Sequence, residues 1–136
     1  MSVEINKKGI IILILLVLLF IGIIFKLLPN TEYIVSENPK STKYTTISPN
    51  EVNNLYKNAN NLIIVDCSQP KQVYRDGHLP EAVWTPNPEL FYNTTNDILV
   101  YSNDDTIAKN FCEQLVDNVY GHIYFMPGGY EAWKNQ

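Results

Sequence analysis

Residues 9–28, GIIILILLVLLFIGIIFKLL, hold a single charge, Lys26. At 1.5 Å rise per residue a helix of that length spans about 30 Å, the thickness of a bilayer's hydrocarbon core. A run so apolar on every side does not fit the surface of a small soluble domain. The apolar region of a cleaved signal peptide is shorter, roughly 7–15 residues, and ends at a small-residue cleavage site; here the run continues into Leu27, Leu28 and Pro29. The expectation is an uncleaved signal anchor: residues 1–8 a short tail, 9–28 a transmembrane helix in contact with the lipid bilayer. Lys7 and Lys8 before the helix, set against Lys26, Lys40 and Lys43 after it, give a weak charge asymmetry. It favours the tail in the cytoplasm and the globular part on the extracytoplasmic side.

The remainder of the chain is acidic. Outside residues 1–26 it carries seven bases against thirteen acids, a balance that does not suit nucleic acid or anionic lipid and leaves a protein as the expected partner. Cys67 and Cys112 are the only cysteines. They form no C-x-x-C motif or His/Cys cluster, so no metal and no cofactor is expected.

Residues 29–43, PNTEYIVSENPKSTK, have two prolines and no hydrophobic period, and read as a stalk or linker. Residues 44–136 form the single folded domain that remains. KYTTI is a short strand, and SPNEVNNLYKN opens a helix with Ser48 as N-cap, Pro49 at the first helical position and Glu51 completing a capping box. NLIIVD and ILVY are continuous apolar runs of strand length, as in parallel strands covered on both faces. Between them QPKQVYRDG allows one or two helical turns and EAVWTP a short strand. Residues 106–117 give a helix with Ile107, Phe111, Leu115 and Val116 inward; HIYFM is a last strand, and PGGYEAW a short terminal helix. Strands alternating with helices predict an α/β fold with a mostly parallel sheet, in which ligands sit at the carboxyl ends of strands. Asp66 and Ser102 lie at two such ends.

Three stretches, LIIVDCSQPKQVYRDGHLPEAVW, ILVYSNDDTIAKNFCEQL and YFMPGGYEAW, together resemble the rhodanese homology domain. Its pattern is an apolar strand ending in Asp, then G-H-[IL]-P-x-A, a strand running into the active-site loop, and a closing G-G-x-x-x-W. Asp66, Gly77, His78, Leu79, Pro80, Ala82, Gly128, Gly129 and Trp133 match it in order and spacing. The resemblance implies a rhodanese-like parallel sheet flanked by helices. His78 is expected to bond backbone within its own loop, since no second histidine or carboxylate cluster makes it a base or ligand.

In catalytic members the resemblance implies a cysteine directly after the strand, followed by a loop of five or six residues whose backbone N–H groups curl around an oxyanion and stabilise a thiolate. Alignment back from the glycines puts Ser102 at the cysteine and Asn103, Asp104, Asp105, Thr106 and Ile107 in the loop. A serine cannot hold a persulfide, and two carboxylates repel thiosulfate, phosphate or arsenate; as first residues of a helix the same acids are ordinary. Cys67 matches a position where rhodanese-like cell-cycle phosphatases carry a second cysteine. These residues imply a membrane-tethered, catalytically inactive domain that binds or regulates a partner. The alternatives are a sulfurtransferase or thiol enzyme acting through Cys67, and a structural part of a membrane assembly. Asn93 opens an N-x-T glycosylation triplet that matters only if the domain lies outside the membrane.

Overall fold

The computed structural model describes residues 7–27 and 38–136, with side chains over 7–21 and 38–136. The first unit is helix α1, Lys7–Leu27. Every side chain from Ile10 to Ile21 is exposed. Side chains are described for too little of α1 to make up the roughly 20 residues of a span, and among the described residues no helix is long and apolar enough to cross a membrane. Most of the expected linker, and residue 28 of the expected span, lie outside the described residues.

The second unit covers Glu37–Gln136. Five strands, β1 (Tyr44–Thr46), β2 (Leu62–Asp66), β3 (Val83–Trp84), β4 (Asp97–Tyr101) and β5 (Ile123–Phe125), form one sheet in the order β1-β5-β4-β2-β3. Every neighbouring pair is parallel. Helices α2 (Pro49–Asn58), α3 (Lys71–Asp76), α4 (Asp105–Leu115) and α5 (Gly129–Lys134) flank it. Parallel strands must be joined by crossovers, and the helices that make them cover the faces.

Side chains alternate across β4: Ile98 and Val100 face a core with Val65, Phe111, Cys112 and Leu115, while Leu99 and Tyr101 face one with Val52, Ile64, Leu79 and Met126. Coverage on both faces is the reason β2 and β4 read as unbroken apolar runs. At the start of α2 the Glu51 carboxylate accepts the Ser48 N–H at 2.7 Å and the Ser48 hydroxyl at 2.8 Å. Those two bonds, the backbone one foremost, lower the Glu51 pKa.

Three features differ from what the sequence implied. Residues 38–43, the described end of the expected linker, hold no helix or strand, but Ser41 N–H donates to Val119 O and Asp117 N–H to Ser41 O, each at 2.8 Å. A turn of 3₁₀ helix at Pro88–Phe91, capped by the Asn87 side chain, brings the Phe91 ring within 6.3 Å of Phe111 on α4. Finally, α4 runs from Asp105 to Leu115 rather than over 106–117, because Val116 takes a non-helical ψ of 137° and Asp117 follows at φ +61°.

Candidate functional site

β2 and β4 are neighbours, with Asp66 opposite Tyr101. The residues after each, Cys67-Ser68-Gln69 and Ser102-Asn103-Asp104, therefore leave the sheet side by side at its carboxyl end, where parallel sheets bind ligands. Asp66, Cys67, Ser68 and Ser102 are all buried.

The second of these loops is short. Thr106 and Ile107, expected in it, lie in the first turn of α4 with Asp105, so only Asn103 and Asp104 separate Ser102 from the helix. The cause is Asp104, which acts as N-cap, its carboxylate accepting the Thr106 N–H at 2.8 Å. Several backbone donors nearby are taken by the chain's own oxygens. Asn103 N–H goes to Ser68 Oγ at 2.9 Å and Asp104 N–H to Ser102 Oγ at 3.2 Å. From the far side Gly128 N–H goes to the Asp105 carboxylate at 2.8 Å. The Asn103 side chain closes the gap to the neighbouring loop, accepting from Gln69 N–H and donating to Gln69 O. The arrangement sets two carboxylates and these bonded donors beside Ser102.

Gly129 sits against this loop. Its φ is +61°, and a Cβ there would overlap the Ser102 carbonyl oxygen, so only glycine lets the β5–α5 turn approach β4 so closely. Gly128, at φ +79°, makes the other left-handed step.

Cys67 does not line the mouth. Its side chain is 0 % exposed, and its thiol faces the Tyr101 carbonyl oxygen at 3.4 Å. Burial, and secondarily the charge of Asp66, push its pKa up to about 12. A hydrogen bond involving Ser102 pulls weakly the other way, and among the described residues no lysine or arginine is paired with the thiol. Cys112, also buried, is raised by burial too. Both thiols stay protonated at neutral pH, and a protonated thiol is a poor nucleophile.

The Gly77–Pro80 segment is held by contacts with α2, α3 and Tyr130. His78 Nδ1 lies 2.8 Å from Tyr74 O, and its ring stacks on that of Tyr74 at 4.0 Å. Pro80 O accepts the Tyr56 hydroxyl at 2.8 Å. At Gly77 the backbone is extended, and glycine serves there because a Cβ would run into the Tyr130 ring. Trp133 packs among the partly buried side chains of the second core, its indole Nε1 buried without a hydrogen-bond partner among the described residues.

Sequence reasoning missed Tyr101, Ser68 and Gln69. Fully buried Tyr101 accepts the Leu79 N–H at 3.0 Å through its hydroxyl, tying the Gly77–Pro80 segment to the end of β4. Burial above all raises its pKa. A tyrosine ending an apolar strand beside an Asp-ended one was the available signal. Ser68 N–H donates to Asp66 at 2.8 Å and its carbonyl accepts the Trp84 indole N–H at 2.8 Å.

Between these elements lies a cavity of about 260 Å³ whose lining includes Ser68, Asp76, Asn103, Tyr130 and Glu131. Among the described residues no cluster of three or more His, Cys, Asp or Glu side chains could hold a metal ion. The model of the rhodanese-like domain family matches residues 48–136. No curated protein matches the chain significantly.

Proposed function

This chain belongs to the rhodanese-like domain family, and from that premise we propose that it is a membrane-tethered member without sulfurtransferase activity, acting by binding a partner. Sulfur transfer needs a thiolate that attacks the outer sulfur of thiosulfate, expels sulfite and holds the sulfur as a persulfide until an acceptor such as cyanide removes it. Ser102 stands where the family pattern calls for that cysteine. The observation that carries the reading is the state of the surrounding backbone. The N–H groups of Asn103, Asp104, Thr106 and Gly128 are bonded to Ser68, Ser102, Asp104 and Asp105 side chains. Even a thiol placed there would meet carboxylates where an anionic donor must sit. Cys67 is a poor substitute, being buried and held protonated.

The tether is supported by the run of residues 9–28, with one charge, and by the exposure of every side chain from Ile10 to Ile21, as in a helix apolar on all sides. With that tether the short basic tail stays in the cytoplasm and the domain lies outside. Thiosulfate:cyanide turnover by the full chain in detergent is expected to stay at the level of a no-protein blank, and turnover above it would overturn the inactive reading. Alkaline carbonate washing is expected to leave the chain in the membrane pellet; release into the supernatant would remove the tether.

A further inference from the structure

The cavity at the carboxyl end of the sheet is lined by charge of one sign. Among the described residues its only charged side chains are Asp76 and Glu131, both exposed, and no lysine, arginine or histidine lines it. Three backbone donors beside it, the N–H groups of Asn103, Asp104 and Gly128, are already bonded to side-chain oxygens of the chain. Two further observations point to what the space takes. Ser68, 2 % exposed, accepts the Asn103 N–H but its hydroxyl donates to no acceptor among the described residues, so a buried donor on the wall is left for a ligand. Two of the lining residues already hold a cation of the chain outside the lining: Lys134 Nζ lies 3.7 Å from the Glu131 carboxylate and 5.9 Å from the Tyr130 ring centroid. That exposed pair is weak and displaceable.

We propose that the cavity takes a basic side chain of a protein partner, its ammonium or guanidinium set between the Asp76 and Glu131 carboxylates against the Tyr130 ring, with the Ser68 hydroxyl donating to a carbonyl of the same partner. The inference rests on the binding-module reading and names the chemistry that module recognises. Asp76 keeps acceptor capacity for it, since the bond it accepts from Gln72 Nε2 uses one oxygen. Aromatic faces and paired carboxylates both favour a guanidinium. Because both acids are exposed, binding weakens as salt rises.

The test uses the ¹⁵N-labelled full chain in zwitterionic detergent micelles, titrated with acetyl-arginine-amide and separately with acetyl-citrulline-amide, the neutral analogue of the same shape. Arginine is expected to shift the amide signals of Gly77, Gly128 and Tyr130 saturably, and citrulline to leave them in place. Asp76→Asn with Glu131→Gln is expected to weaken the arginine response about tenfold, and Lys134→Gln to strengthen it by removing the internal competitor. Equal responses to the two probes, no response to either, or a response to thiosulfate instead would each overturn the inference. Thiosulfate:cyanide turnover in the same sample separates the two levels. Turnover sinks the binding-module reading itself, whereas no turnover with no arginine response sinks only the choice of ligand.

Discussion

The ends of β2 and β4 lie side by side, with Asp66 opposite Tyr101, and each is followed by a residue that chemistry could use, Cys67 and Ser102. They differ in what surrounds them. At β2 a thiol is present, but burial raises its pKa and leaves its side chain unexposed. At β4 the residue is a serine, and the loop after it is bonded to the chain's own side chains at Ser68, Ser102 and Asp104. A nucleophile needs both a thiolate and a set of free donors facing its substrate, and on the proposed reading each strand end lacks one of them. Restoring one element at one end is therefore not expected to restore catalysis.

The β4 end is challenged hardest at its most constrained point. Gly129→Ala places a methyl group against the Ser102 carbonyl oxygen at a left-handed φ, and is expected to destabilise the domain by about 3 kcal/mol. Urea unfolding of the full chain, followed by near-ultraviolet circular dichroism, measures this. A cost under about 1 kcal/mol would mean that the β4 end is softer than described.

The β2 end is sharpened by pH. Buried Cys67 ionises near pH 12 in the folded chain, while in the unfolded chain its thiol ionises at its ordinary value near 9. A raised acid pKa means that the folded state holds its proton longer, so this contribution to stability is intact below pH 9 and is lost as pH climbs from 9 to 12. The loss is up to about 1.4 kcal/mol per pH unit per thiol. Denaturation midpoints across that window are expected to fall, and to fall less steeply in Cys67→Ala. An identical slope in the variant would contradict the burial argument.

A smaller effect is expected at the cap. Asp104→Ala removes the acceptor for Thr106 N–H and is expected to cost about 1 kcal/mol in the same unfolding experiment. It also frees one donor in the loop, yet thiosulfate turnover is expected to stay at blank level.

Much of the fold was legible in the sequence because the signals are local. Leu62–Asp66 and Asp97–Tyr101 are strands covered on both faces, and Ser48, Pro49 and Glu51 start α2 with their own side chains. The 3₁₀ turn at Pro88–Phe91 was not legible, since its reason is the Phe91–Phe111 contact across the fold. At the site, the spacing located Ser102 directly after β4. The packing of its loop was hidden for a physical reason: Ser68 and Gln69, about 35 residues away in sequence, bond to Asn103. The bond from Leu79 N–H to the Tyr101 hydroxyl, 22 residues apart in sequence, is likewise a property of the folded chain.

The most direct test of the proposed inactivity is the intact mass of the full chain, wild type and Ser102→Cys, after incubation with thiosulfate and again after cyanide. An unchanged wild-type mass is expected, with at most a trace of sulfur adduct on Ser102→Cys, because Asp104, Asp105 and the occupied donors remain. A cyanide-removable sulfur adduct on the wild type that Cys67→Ser abolishes, or near-complete loading of Ser102→Cys, would contradict an inactive site.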